Sequence, residues 1–176
     1  MRLSRARAVQ LYVQTDGAQA RASPSTSATV TILGIGIDLT QIERIEEVHA
    51  RRGQRFLDRI YTAGEQAYCA RRMRSAQSLA GRFAAKEAAM KVLGTGWARG
   101  VRWVDIEVVR APGGPPTLLL HGRAAEHAAR RGIERWHLAL THDAGLAVAV
   151  AIAEGAGPAA AEAPAAASTG PAPKGR

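Results

Sequence analysis

Hydrophobic and polar positions are ordered through the middle of this chain and lose their order at both ends. Over residues 30–39 (Val30-Thr31-Ile32-Leu33-Gly34-Ile35-Gly36-Ile37-Asp38-Leu39) nearly every position is apolar. That predicts a strand covered on both faces, and its two glycines permit close backbone approach or a bend. Over 41–52 the spacing becomes helical, with Ile42, Ile45 and Val48 on one side, Arg44, Arg51 and Arg52 on the other, and Gly53 as the stop. A short segment, 55–60, precedes Thr62-Ala63-Gly64-Glu65, a capping box that opens a second helix to about Arg74. The longest helix is expected over 76–93 and ends at Gly94. It carries two stripes. Leu79, Phe83, Lys86, Met90 and Leu93 face a core, with Lys86 as the interruption; Ala80, Ala84, Glu87 and Lys91 form the other.

Beyond Gly94 the period changes to two. Val104, Ile106 and Val108 alternate with Asp105, Glu107 and Val109, which predicts a half-buried strand over 101–110. A Pro/Gly turn at 112–116 returns the chain as a strand over 117–121, followed by an Ala-rich helix over 122–131. Residues 135–141 place Trp136, Leu138 and Leu140 inward, and His142-Asp143-Ala144-Gly145 turns the chain into an apolar strand over 146–153. The order β-α-α-α-β-β-α-β-β predicts one α+β domain, an antiparallel sheet with helices packed on it.

Composition bounds the domain. Residues 1–30 are rich in Arg, Ala and Ser, and 155–176 are Ala/Pro/Gly low complexity. Neither end has enough large apolar side chains to offset the entropy of ordering, so both are expected to be disordered and the domain to span 31–154. The N-terminal stretch is Arg-rich and acid-poor, as a transit peptide would be, and lacks the apolar region of a secretory signal. An over-long start in a GC-rich gene is the other reading. The single cysteine, Cys69, excludes an internal disulfide and a cysteine metal cluster, and it suggests the reducing cytoplasm. No apolar run is long enough to span a bilayer. The net charge of +9 admits nucleic acid, a membrane surface or an acidic protein as partner. Few aromatics and no binding motif argue against nucleic acid.

Only three titratable side chains stand in unusual places: Asp38 at a strand end, Glu87 among alanines, and His142 in a turn. Asp38 either caps the next helix or binds a metal. Thr40-Gln41-Ile42-Glu43 is itself a capping box, which would free Asp38 for the second role. Glu87 either pairs with Lys91 one turn on or joins Asp38. Two carboxylates without His or Cys suit Mg²⁺, which takes one or two carboxylates and completes its shell with water and phosphate oxygens. Lys91, Arg82 and Gly94-Thr95-Gly96 could hold phosphates by charge and backbone N–H groups. The residues alone therefore point to Mg²⁺-dependent handling of a phosphorylated ligand.

The same residues resemble the holo-acyl-carrier-protein synthases, the small 4'-phosphopantetheinyl transferases. Five stretches carry the resemblance, in order, across residues 32–153: Gly34-Ile35-Gly36-Ile37-Asp38 with Ile42-Glu43-Arg44-Ile45; Arg55-Phe56 through Glu65; Gly81-Arg82-Phe83-Ala84-Ala85-Lys86-Glu87-Ala88 with Lys91 and Gly94-Thr95-Gly96; Trp103-Val104-Asp105-Ile106-Glu107; and Leu140-Thr141-His142. It implies transfer of the phosphopantetheine arm of coenzyme A to a serine of apo acyl carrier protein, with release of adenosine 3',5'-bisphosphate, in support of fatty acid biosynthesis. It further implies Mg²⁺ on Asp38 and Glu87, serine deprotonation by Glu87, and Lys91 on the leaving phosphate. Arg82, Gly94, Thr95, Gly96, Thr141 and His142 would contact coenzyme A. Arg44, Arg52, Arg55 and Arg59 would receive the acidic carrier protein. A homotrimer with sites between subunits is expected, so Asp38 and His142 need not meet in one chain. Two departures stand out: Ala139 where the family often has Ser, and Pro115 where a basic residue usually precedes the hairpin proline. A homologue that binds without catalysis would not be expected to keep Asp38, Glu87 and Lys91 together.

Overall fold

The structure, a computed structural model, describes residues 31–96 and 100–156. The expectations for residues 1–30 and for the tail from 157 onward lie outside the described residues. The elements run β1 (Thr31–Gln41), α1 (Ile42–Arg52), α2 (Gln54–Ile60), α3 (Ala63–Ala70), α4 (Ser75–Leu93), β2 (Ile106–Arg110), β3 (Pro116–Leu120), α5 (Gly122–Arg130), β4 (Ile133–Asp143) and β5 (Leu146–Gly155). The expected α+β architecture is present. The segment before Thr62 adds a short helix, α2. Residues 103–105 form a 3-10 turn in place of the first half of the expected strand. The reason is Asp105: its carboxylate accepts from the Arg102 backbone N–H at 3.0 Å and from the Arg102 guanidinium at 2.7 Å. It is buried at 1% exposure rather than facing solvent.

Two antiparallel sheets result. One has the order β1-β5-β4 and the other is the β2-β3 hairpin. Helix α4 lies across the three-stranded sheet. Its Ala84, Ala85, Ala88 and Ala89, and Ala149, Ala151 and Ala153 of β5, are buried in one cluster with Met90, Val92, Ile106 and Leu138. Methyl side chains on both surfaces let helix and sheet approach closely. Gly36 takes this to its limit: a Cβ there would stand 2.0 Å from the Ala88 carbonyl oxygen. A second cluster, Ile45, Ile60, Tyr61, Cys69, Leu79, Ala80 and Ala147, seats α1, α2 and α3 around the start of α4.

Helix starts differ from one another in an informative way. The Thr62 capping box forms as the sequence predicts: Glu65 N–H donates to Thr62 Oγ1, and Thr62 N–H donates to Glu65 Oε2. The Thr40 capping box does not form. Gln41 is the N-cap of α1 and its side chain makes no cap hydrogen bond. The orphan Ile42 N–H donates instead to the Gly145 carbonyl at 2.9 Å. Thr40 belongs to β1, and its hydroxyl goes elsewhere.

The β4–β5 connection is the two-residue turn Ala144-Gly145, both with positive φ (47° and 80°). That is the twist a tight hairpin prefers. The odd-numbered side chains of β1 point away from α4. Ile35, Ile37 and Leu39 are 64%, 59% and 57% exposed in the single chain, so the sequence expectation of a strand covered on both faces is not met within one chain. No helix among the described residues is long and apolar enough to cross a membrane.

Candidate active site

The close approach of β1 to α4 brings three of the singled-out residues together. Asp38 and Glu87 line one cavity of about 520 Å³, with Arg44 and Thr40 on the polar side and Leu39, Ile45, Val48, Phe56 and Phe83 on the apolar side. Lys91 donates to Asp38 Oδ1 at 2.9 Å and to the Ile37 carbonyl at 2.7 Å. Lys91 thus pairs across to the strand, not with Glu87 one turn back as a surface helix would have it. The Glu87 carboxylate accepts no hydrogen bond among the described residues. Burial, and next the negative charge of Asp38, raise its pKa above the usual carboxylate value, while Lys91 and Arg44 oppose that rise. Two carboxylates share one cavity, and Asp38 is the one hydrogen-bonded to an ammonium. Among the described residues no group of three or more His, Cys, Asp or Glu converges on a metal position. Two carboxylates and room for water fit Mg²⁺ better than a metal needing a full protein cage.

Arg82, Thr141 and His142 line a different cavity, of about 490 Å³. Arg82 is buried at 6% exposure. Its guanidinium lies over the Tyr68 ring, 4.0 Å from the centroid, and Arg72 lies 4.3 Å from the same centroid. Arg72 also donates to the Tyr68 hydroxyl at 2.6 Å. Burial would raise the Tyr68 pKa, but hydrogen bonding from Arg110 and the charges of Arg72 and Arg82 outweigh it and the net shift is downward. Arg74 and Arg110 share the lining, so the cavity is built for an anion with a flat or apolar companion. Ala139, one of the two departures, also lines it. Tyr68, Arg72 and Arg110 were not singled out from the sequence.

Gly94-Thr95-Gly96 is less open to a ligand than expected. Gly94 has φ 68° and its N–H donates to the Lys91 carbonyl, while the Thr95 N–H donates to Met90 at 3.4 Å. Both N–H groups therefore close the end of α4 and are not left for phosphate. Arg131 holds the same corner, donating to the carbonyls of Val92 and Leu33. Thr95 Oγ1 is buried and has no partner among the described residues.

Lys86, the interruption in the apolar seam, is wholly buried. Its ammonium donates to Glu65 Oε2 at 2.7 Å, to the Trp103 carbonyl at 3.1 Å and to the Ile106 carbonyl. Glu65 in turn accepts from the Thr62 and Val108 backbone N–H groups. All three ammonium donors are used, and α3, α4 and β2 are tied at one point. Burial lowers the Lys86 pKa, with Glu65 opposing it. The Trp103 ring stacks on Phe83, with centroids 4.7 Å apart, and Phe83 is a wall of the Asp38–Glu87 cavity. Arg44, Arg52, Arg55 and Arg59 are all exposed on α1 and α2.

Residues 34–151 match the 4'-phosphopantetheinyl transferase superfamily. A holo-[acyl-carrier-protein] synthase of Solibacter usitatus is 49% identical over 118 residues, covering 67% of this chain and 94% of that protein. One from Methylorubrum extorquens is 53% identical over 122 residues, covering 67% and 90%. Among solved structures, the holo-[acyl-carrier-protein] synthase of Neisseria meningitidis superposes with a TM-score of 0.64 at 31% identity, over 70% of this chain and 98% of that one. That of Helicobacter pylori, in complex with coenzyme A, gives 0.61 at 32% identity, over 68% and 99%.

Proposed function

The chain belongs to the 4'-phosphopantetheinyl transferase superfamily as an enzyme of the holo-[acyl-carrier-protein] synthase type, and we propose that Asp38, Glu87 and Lys91 carry its chemistry. The observation behind this is their convergence: one strand and one helix pressed together through Gly36 place two carboxylates on one cavity with an ammonium beside them. In the reaction, the serine hydroxyl oxygen of apo acyl carrier protein attacks the coenzyme A phosphorus that bears the pantetheine arm. The bond from that phosphorus to the bridging pyrophosphate oxygen breaks, and adenosine 3',5'-bisphosphate leaves. Glu87 takes the serine proton as general base. Lys91 holds charge on the leaving phosphate. Mg²⁺, held by Asp38 and Glu87, supplies neutralisation of the pyrophosphate when bound. Arg82, Thr141 and His142, with Tyr68 and Arg72, receive the nucleotide end of coenzyme A. Gly94, Thr95 and Gly96 do not line that cavity, and the Gly94 and Thr95 N–H groups close the end of α4, so any contact of this loop with coenzyme A is made from outside it. Arg44, Arg52, Arg55 and Arg59 receive the acidic carrier protein.

The homotrimer implied by the family resemblance would place each site between subunits, and the separation of the two cavities fits such a shared site. The uncovered face of Ile35, Ile37 and Leu39 continues onto Val148 and Val150, which also line the Arg82–His142 cavity. A neighbour packed on that face would bring one chain's carboxylates to another chain's nucleotide cavity. Ile37→Asp should give monomers by light scattering and lose transfer together; active monomers would rule the shared site out. Residues 31–154 are the catalytic domain on this reading, working in the cytoplasm and supporting fatty acid synthesis. Removal of residues 1–30 should leave activity near wild type, and clear loss would show that they are required. The primary test is the intact mass of apo acyl carrier protein after incubation with the chain, coenzyme A and Mg²⁺. A phosphopantetheine-sized gain that disappears with chelator is expected; no gain from a folded sample with several carrier proteins would refute the assignment.

A further inference from the structure

We propose that Thr40 is a positioning residue for the metal-binding carboxylate: its hydroxyl fixes the plane of Asp38 so that one edge of that carboxylate stays turned to the cavity. The inference rests on Asp38 as a metal ligand, proposed above.

Thr40 is buried at 6% exposure, lies two residues after Asp38 on the same face of β1, and lines the same cavity. Its Oγ1 donates to Asp38 Oδ2 at 3.0 Å. On the other oxygen, Lys91 donates to Oδ1 at 2.9 Å. One donor on each oxygen removes rotation about the last side-chain bond. A carboxylate has about four lone-pair sites, so each oxygen keeps room for a further ligand. The two pins differ in kind. Lys91 is long and half exposed, with a side chain at 52% relative exposure, and it can turn toward an anion. Thr40 is short, β-branched and stiff at χ1, so it holds its place whether or not Lys91 does.

The sequence around Thr40 makes the choice of partner telling. Thr40-Gln41-Ile42-Glu43 has the spacing of a capping box, and a threonine hydroxyl there ordinarily accepts a hydrogen bond from the first turn of the helix. Here α1 begins one residue later, without any side-chain cap. The Ile42 N–H donates to the Gly145 carbonyl. The Thr40 hydroxyl makes no cap hydrogen bond, and the bond it does make is the one to the Asp38 carboxylate.

The test is direct Mn²⁺ binding to the full chain, by calorimetry or water-proton relaxation, in the absence of other substrates. Thr40→Val removes the hydroxyl at nearly constant shape and suits a strand. Groups that orient metal ligands typically contribute 10–100-fold to metal affinity, so Thr40→Val should weaken Mn²⁺ binding by at least about tenfold. Thr40→Ser, which keeps the hydroxyl, should return to within about threefold of wild type. In turnover, the Mg²⁺ concentration for half-maximal rate should rise while KM for coenzyme A at saturating Mg²⁺ stays put. If Val is not accommodated, Thr40→Ala deletes the same hydroxyl and the same titration decides. Asp38→Ala separates the two layers of argument. If it abolishes Mn²⁺ binding but Thr40→Val binds within twofold of wild type, the hydroxyl is only a packing group and the inference is wrong. If Asp38→Ala itself leaves Mn²⁺ binding unchanged, the ligand assignment falls and takes the inference with it.

Discussion

Gly36→Ala tests the geometric premise of the site with a single methyl group. At Gly36 an added Cβ would stand 2.0 Å from the Ala88 carbonyl oxygen, 2.9 Å from its carbonyl carbon and 3.0 Å from Val92 Cγ2. Ordinary contact begins near 3.4 Å, so β1 must retreat from α4 by about 1.4 Å (3.4 minus 2.0). The obstacle is helix backbone, which cannot turn aside as a side chain can. Inserting a methyl into such a contact costs about 1–3 kcal/mol or more. The same retreat moves Asp38, two residues along the strand, away from Glu87 and Lys91. A misplacement of about 1 Å can lower a rate by about 100-fold. Gly34→Ala is the matched control. Its Cβ would meet Val92 Cγ1 at 3.0 Å, the end of a side chain, and the nearest backbone atom only at 3.7 Å. Gly34→Ala should lose less than about 1 kcal/mol, because Ala also stiffens the unfolded chain. The assay is urea unfolding beside the mass-shift rate for both variants. Gly36→Ala with a wild-type midpoint and rate would refute the claim that close strand–helix approach assembles the site. Equal losses in both variants would refute the specific role given to the Ala88 carbonyl.

Other outcomes follow from the same geometry. Glu87→Gln should abolish transfer and leave the fold intact. Because burial and Asp38 raise the Glu87 pKa in the folded chain, the folded state binds the proton more tightly than the unfolded one. Without metal, wild type should therefore match Glu87→Gln at low pH and lose stability against it as pH rises through the ordinary carboxylate value of about 4.3 toward the raised one; a difference in melting temperature that is flat with pH would contradict this. Lys86→Met should strand a buried carboxylate at Glu65 and destabilise by about 3–5 kcal/mol in urea unfolding, and a loss below about 1 kcal/mol would show that the pair is not the anchor its burial implies. Arg55→Glu or Arg59→Glu, both outside the Asp38–Glu87 cavity, should raise KM for the carrier protein by at least about tenfold, about 1.4 kcal/mol, with KM for coenzyme A unchanged; equal effects on both would move these arginines off the protein-binding surface.

How much of this was legible in the sequence differs from residue to residue, and the difference has a physical cause. Asp38 and Glu87 were visible because each breaks a local pattern, a carboxylate in an apolar strand and another in an alanine stripe. Local pattern also gave the Thr62 cap and the helix end at Gly94. What failed required knowledge of what packs against what. Lys86 was visible as an interruption and Glu65 as a capping residue, yet their bond spans 21 positions and exists only once α3 docks on α4. The Arg102–Asp105 contacts, by contrast, are local, but a period-two hydrophobic pattern is blind to them and reads residues 101–105 as strand. Thr40 is the sharpest instance. Its motif has the spacing of a cap, yet Thr40 stays in β1, α1 starts after Gln41, and the Ile42 N–H finds the Gly145 carbonyl, 105 residues on from Thr40. A threonine hydroxyl can accept from a helix end and donate to a carboxylate, and in this fold Thr40 does only the second, a fact that depends on where β1 ends and α1 begins.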